Sequence, residues 1–418
     1  MPARTVIVEH STESPARDFQ VAASLLAALR RRTGMSYRFV RVTGADDIAL
    51  PGETREYVAR SGSLVPNGWF WVERICPPPD LSQARHVSDR TLSQNQPSIV
   101  SINRRTLGAA SFRAWQRALE EHFAAARWVS VNDDGATTVG VALELDRYGR
   151  LEVSPVSRLV DQLVGDPTTT DVAPVAPPAT PQTTRIVVVG ERAYHEYAYP
   201  AVRASLGDAA DAVGCIVELR FVSAHRATQA EWRKALTDAD GIVLPGGNDM
   251  QQVEAQITAA TIALEERIPV LGLCLGMQTM VTAFARQIAG MHGAHLEETN
   301  PEAQPLTFRR LHQGGLAAHR IGIRQTRLVE GSLLERLYGR HEWQDRMNHR
   351  FALDRGIAQR LVDHGLEIGA LGEGDVADAI AWPDHPFFVG AQGHPEQSST
   401  SEQPHPLVVA FLQEVQGR

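Results

Sequence analysis

Ile268-Pro269-Val270-Leu271-Gly272-Leu273-Cys274-Leu275-Gly276-Met277-Gln278 decides the fold of the half of the chain in which it stands. An apolar run of strand length enters a Gly-x-Cys-x-Gly turn, and a helical composition follows. This is the nucleophile-elbow pattern with sulfur in place of a serine oxygen. The flanking glycines allow a tight turn that lifts the side chain clear of the sheet. The helix that starts at Leu275 turns its N-terminus toward the sulfur, which favours the attacking thiolate. A buried structural cysteine is the plainer alternative, since free cysteine is often buried.

The same rhythm extends outward from the elbow. Residues 185–189, 216–221, 241–244 and 270–273 read as strands. Helices fit a start near 198, 253–267 and a start at 275. Late strands fit 379–382 and 387–391, and a last helix fits 407–415. Alternating strands and helices predict an α/β fold with a mostly parallel, doubly wound sheet covered on both faces. Residues 165–184 carry five prolines and six threonines and no bulky apolar residue beyond two valines, the composition of an extended linker. The chain therefore divides into 1–164, a linker over 165–184 and 185–418. The N-terminal part predicts a smaller α/β or α+β domain: strands at 5–8, 98–103 and 128–131, helices at 22–32 and 110–126, and a hairpin pairing 137–145 with 151–156.

Composition narrows the chemistry. The 418 residues are 43% hydrophobic and 22% charged, with a formal net charge of −8, which points to neither nucleic acid nor an anionic membrane. The longest apolar run is far too short to cross a bilayer, and the N-terminus has no signal-peptide core, so a cytoplasmic location is the expectation. Three widely spaced cysteines, Cys76, Cys215 and Cys274, argue against a disulfide framework and a cysteine-rich metal site. Of the 41 basic residues only Lys234 is a lysine, and no glycine-rich loop precedes it, so a P-loop for ATP is excluded from this chain.

Two further patterns join the elbow. In Gln392-Gly393-His394-Pro395-Glu396, after a strand, Glu396 can orient the imidazole of His394, which then serves the thiol as general base and acid. In Leu244-Pro245-Gly246-Gly247-Asn248-Asp249, a turn at a strand end exposes backbone N–H groups. With the N–H of Leu275, those of Gly246 and Gly247 could form an oxyanion hole. Weaker constellations stay structural in this reading: His292 and His295 as metal ligands, Asn103-Arg104-Arg105 as an anion grip, and Cys76 beside three prolines. Trp69-Phe70-Trp71 belongs to the N-terminal core. No metal and no cofactor are expected.

Together the three patterns resemble class I glutamine amidotransferases, most closely the glutaminase domain of CTP synthase. That family's elbow reads Gly-Ile-Cys-Leu-Gly-Met-Gln, and its Pro-Gly-Gly turn lies at the same distance before the cysteine. Ala285-Arg286 and Met291 match as well. Arg346-Met347-Asn348-His349-Arg350-Phe351 is similar to the family's Arg-His-Arg-His-Arg-Tyr, His319-Arg320-Ile321-Gly322 to Met-Arg-Leu-Gly, and Asp384-His385-Pro386-Phe387-Phe388 to Asn-His-Pro-Trp-Phe. The resemblance covers roughly 185–418 and implies a flavodoxin-like fold. It makes Cys274 the nucleophile that forms a glutamyl thioester, with His394 moving the proton and Glu396 orienting it. It puts Gln278, Glu298 and Arg350 where the family binds glutamine, with Glu297 as the alternative to Glu298.

The chain also departs from the family. Asn248-Asp249 stand where it has Phe-Gly. The stretch between Glu298 and Arg320 is much shorter than the family segment tied to GTP activation. Gly393 replaces a phenylalanine, and the N-terminal half lacks the family's P-loop amidoligase domain. The expectation is a glutaminase that takes glutamine and passes ammonia to an acceptor on the N-terminal domain or a partner protein, with self-association left open. CTP synthesis by this chain alone is not expected. A stand-alone γ-glutamyl hydrolase or transferase, or a non-catalytic regulator on the same fold, are the alternatives.

Overall fold

The structure is a computed structural model. It describes all residues except 1–4, 44–55, 77–80, 85–91, 93, 133, 165–181, 224–228, 248–249, 314–315 and 418. Most of the linker and the pair Asn248-Asp249 lie outside the described residues. The chain forms two compact units: 1–57, 65–176 and 196–200 make the first, and 58–64, 177–195 and 201–418 the second.

The first unit is an α/β layer structure on a five-stranded, all-parallel sheet. Its elements are β1 (Thr5–His10), α1 (Pro15–Thr33), β2 (Arg38–Val42), α2 (Trp69–Ile75), β3 (Leu81–Ala84), β4 (Ser98–Asn103), α3 (Arg104–His122), β5 (Arg127–Val131) and α4 (Val153–Val164), with strand order β3-β2-β4-β1-β5. Helix α1 starts at a Ser14 cap and ends at Gly34 in the left-handed region. One core gathers Phe19, Leu25 and Leu26 with α4, and the opposite face packs Phe112, Trp115 and Leu119 of α3. Phe70 and Trp71 of α2 are buried, while Asn103 caps α3 and Arg104 and Arg105 pair with Glu9 and Glu13. The hairpin expected from 137–145 and 151–156 is corrected. Only isolated bridges join Val131 to Thr137 and Leu145 to Leu151, and Val153 opens α4.

The second unit holds a nine-stranded sheet. Its strands and helices are β6 (Thr183–Val189), α5 (Ala201–Val213), β7 (Ile216–Val222), α6 (Gln229–Thr237), β8 (Gly241–Leu244), α7 (Val253–Glu266), β9 (Val270–Leu273), α8 (Leu275–Gln287), β10 (Arg320–Leu328), α9 (Leu333–Tyr338), β11 (Glu342–His349), α10 (Arg355–Val362), β12 (Glu367–Leu371), β13 (Ala377–Ala381), β14 (Phe388–Ala391), α11 (Pro395–Ser398) and α12 (Pro406–Gln416). The order is β11-β10-β12-β13-β14-β9-β8-β6-β7. The five strands from β14 to β7 are mutually parallel, and the other four join antiparallel. Strands β8, β9 and β14 are buried along their whole length, which is why they read as unbroken apolar runs. Helices α7 and α8 cover one face with Ile257, Met280 and Phe284, while α5 and α12 pack against each other beside the sheet. No helix among the described residues is long and apolar enough to cross a membrane.

Candidate active site

Three loops converge at the carboxyl ends of the neighbouring strands β8, β9 and β14, where open α/β sheets hold their ligands. Registered pairing sets Leu273 beside Ala391, and the N–H of Cys274 donates to the Ala391 carbonyl at 2.7 Å. Cys274 itself has φ 51° and ψ −104°, a left-handed conformation that a non-glycine residue adopts at a cost. A side chain at Gly276 would run its Cβ into the Leu244 carbonyl oxygen, so the turn closes only with glycine there.

His394 follows β14 by three residues and is held from two directions. Its N–H donates to the Arg346 carbonyl at 2.9 Å, and its Nδ1 lies 2.7 Å from Glu396 Oε1. Glu396 is fully buried. Burial alone would lower the imidazole pKa, but the Glu396 carboxylate and the Cys274 sulfur together hold it well above 6.5. The backbone at Gly246 lies over both groups: a Cβ there would be 3.0 Å from His394 Cε1 and 3.2 Å from Cys274 Cβ. Gly247 follows at φ 154°, and Leu275 begins α8.

On the other side of the sulfur a chain of amides approaches. Gln392 Nε2 donates toward Sγ at 3.6 Å, and Gln278 Nε2 donates to Gln392 Oε1 at 3.3 Å. Gln278 Oε1 is buried and has no hydrogen-bond partner among the described residues. Gln392 is a site residue that sequence reasoning passes over, because it stands there only as the flank of the histidine motif. The carbonyl of Asn348, near the end of β11, stands 4.0 Å from Sγ. Asn348 Oδ1 accepts from His319 Nε2 at 2.8 Å, and His319 feels the charge of Arg350. Glu298 lies beside Arg310 and Arg350, and its carboxyl pKa is raised by burial against the pull of those two cations. Glu297 accepts the Arg310 N–H at 2.9 Å. Cys274, His394, Glu396, Gly246 and Gln278 thus come together, while Glu298 is linked electrostatically to Arg350.

The other sequence candidates lie elsewhere. His295 binds Glu254 at 2.6 Å and Cys76 is buried against Arg30 at 3.3 Å. Among the described residues no group of three or more His, Cys, Asp or Glu side chains is placed to hold a metal ion.

A thiol on a strained elbow, served by a carboxylate-bound imidazole at the end of a parallel sheet, defines the class. The chain belongs to the family described as glutamine amidotransferase class-I, which matches residues 197–413, just over half of it. Within that class the chain is similar to CTP synthases and to their glutaminase domain. CTP synthase of Methanopyrus kandleri is 35% identical over 242 residues, 56% of this chain and 45% of that protein. CTP synthase of Thermus thermophilus is 34% identical over 243 residues, 56% of this chain and 44% of that protein. The Trypanosoma brucei CTPS glutaminase domain with bound acivicin superposes with a TM-score of 0.53 at 27% identity, covering 56% of this chain and 94% of that domain. The chain thus spans less than half the length of the curated CTP synthases it matches.

Proposed function

We propose that the second unit hydrolyses glutamine to glutamate and ammonia through a thioester on Cys274. The Cys274 thiolate attacks the side-chain amide carbon of glutamine, and the carbonyl π electrons move to oxygen. The N–H groups of Gly246, Gly247 and Leu275 serve that oxyanion. The carbonyl re-forms as the C–N bond breaks, and the His394 imidazolium gives its proton to the leaving nitrogen, which departs as ammonia. His394, now neutral, takes a proton from water as the water attacks the thioester. Glutamate leaves and the Cys–His pair is restored. Glu396 keeps Nδ1 protonated and compensates the imidazolium charge. Gln278, Glu298 and Arg350 hold the amino-acid end, Arg350 taking the α-carboxylate and Glu298 the α-ammonium. Ammonia then passes to an acceptor bound by the first unit or by a partner protein.

The observation that carries this reading is the placement of Cys274, at φ 51° on the elbow, within one buried cluster with a His394 imidazole 2.7 Å from Glu396. The test is intact-protein mass spectrometry after incubation with acivicin, together with a glutamate-release assay. A single adduct lost in Cys274→Ala, with glutamate release lost alongside it, supports the glutaminase. Neither adduct nor glutamate from the wild-type chain sinks it.

A further inference from the structure

Against the loop that carries His394 stands a carboxyl that the reaction above does not use. Asp345 projects from β11 and is only 5% exposed. Its Oδ1 accepts the N–H of Arg346 at 2.9 Å. Its Oδ2 lies against the backbone of Gly393, the residue before His394, so closely that any Cβ at position 393 would collide with it. The glycine that replaces the related family's phenylalanine is therefore what admits this carboxyl to the back of the histidine.

The surroundings give Asp345 no arginine or lysine partner among the described residues, and the His394 imidazolium is the cation that faces it. Asp378 of β13 is taken by Arg320 at 2.5 Å and by Thr326 at 3.0 Å. Arg346 turns its guanidinium to the Val58 carbonyl. From α9 comes Tyr338, whose phenol burial and Asp345 keep protonated, and its ring packs edge-on against Trp343 and His405. His405, at the start of α12, is held neutral by burial, its pKa down to about 3. From the loop that carries the triad come His394 and Glu396. Among the described residues no lysine or arginine pairs with Asp345, and it lines a small cavity with Thr326, Tyr338, Trp343 and Asp378. Burial, with the nearby Glu396 adding to it, raises the Asp345 pKa to about 7 against the pull of the Arg346 N–H.

We propose that Asp345 is a positioning residue that acts through His394: seated against Gly393, its carboxyl sets the charge behind the imidazolium and adds its own ionisation to the pH dependence of the thiol. This rests on the glutaminase reading for its role in turnover, though not for its effect on Cys274. When Asp345 loses its proton, the second negative charge beside the Glu396 pair stabilises the imidazolium and delays its deprotonation.

The test compares the wild-type chain with Asp345→Asn, which keeps the shape of the protonated acid and cannot ionise. Two profiles are measured from pH 5.5 to 9.5: kcat/KM for glutamine, and the rate of Cys274 alkylation by iodoacetamide, which needs no turnover. In the variant the step near neutrality should vanish, and the alkaline limb should move about 0.5–1 pH unit toward acid, with rates at the lowest pH within about twofold of wild type. Gly393→Ala, which pushes the carboxyl aside while keeping it ionisable, should shift the same step rather than abolish it. Superimposable alkylation profiles for wild type and Asp345→Asn overturn the inference. Should the wild type alkylate but release no glutamate, the glutaminase reading fails while the alkylation profiles still decide the role of Asp345. If Asp345→Asn does not fold, an unshifted step in Gly393→Ala overturns it instead.

Discussion

Glu396 has no exposed surface and one short contact to Nδ1 of His394, so its charge is felt by the imidazole at nearly full strength. The His394 pKa is raised, so the stability this pair confers is complete below the ordinary 6.5 and is lost as pH rises through the higher folded value. Glu396→Gln keeps the shape and removes the charge. Glutamine hydrolysis should fall by about 10²–10⁴-fold. Thermal denaturation should show the stability gap between wild type and variant narrowing from pH 6 toward pH 10; a constant gap would contradict the pairing. Asp345 carries linkage of the same sign over a more acidic range. Its folded pKa, about 7, is above its ordinary 3.8, so its contribution is fully present below 3.8 and fades as pH climbs to about 7. Asp345→Asn should therefore be more stable than wild type at pH 8, by on the order of 1–3 kcal/mol, and no more stable at pH 4. Equal melting temperatures at both pH values would exclude a buried, unpaired carboxyl.

At the scale of the element, the elbow is set by close approach as much as by chemistry. The first turn of α8 touches β8 at Gly276, where the Leu244 carbonyl leaves no room for a methyl group. Gly276→Ala should cost roughly 1–3 kcal/mol, read by urea denaturation, and slow acivicin labelling of Cys274 as the turn shifts; unchanged midpoint and labelling would mean the turn adapts freely. Elements of this kind were legible in the sequence because one constraint acts on every residue in them. The runs at 241–244 and 270–273 are buried on both faces, so hydrophobicity alone marks them. Strands β10 and β11 escaped notice because Arg320–Leu328 and Glu342–His349 pair with each other at the outer side of the sheet and keep polar residues such as Arg327 and Glu342 exposed. The hairpin expected at 151–156 failed for a different reason. Val153 and Val156 fit a short extended run, but the apolar set continues as Leu159, Val160 and Leu163, a helical period visible only past the end of the window. In the site, the motif residues were readable, whereas Asp345 was not. Its place behind His394 depends on the approach of β11 to a loop 48 residues later, and a lone aspartate before an arginine carries no periodic signal.

At the scale of the whole molecule, the likeness to CTP synthases covers only part of this chain and of those enzymes. These two relatives match over 56% of this chain and under half of their own length, so the likeness is to a part of those enzymes. The first unit has a parallel sheet, which suits nucleotide binding in general, but the chain's one lysine, Lys234, lies on α6 of the second unit and pairs with Asp238 at 2.7 Å. A P-loop lysine for the β- and γ-phosphates of ATP is therefore missing from the entire sequence. The stretch from 298 to 320 is likewise short of the segment that ties GTP to glutaminase activity in the related family. Incubated with glutamine, ATP, UTP and magnesium, the chain should release glutamate but form no CTP, as followed by nucleotide chromatography. GTP should change the glutamate rate by less than about twofold. CTP in that mixture would mean that the first unit activates UTP by a route that needs no P-loop lysine. A strong GTP response would place the activator on a surface other than the shortened segment. Glutamate release with neither effect leaves an acceptor outside pyrimidine nucleotides as the destination of the ammonia, and the polar ends of β1 and β4 in the first unit, where His10, Asp18 and Asn103 cluster, as the place to begin mapping how that unit binds it.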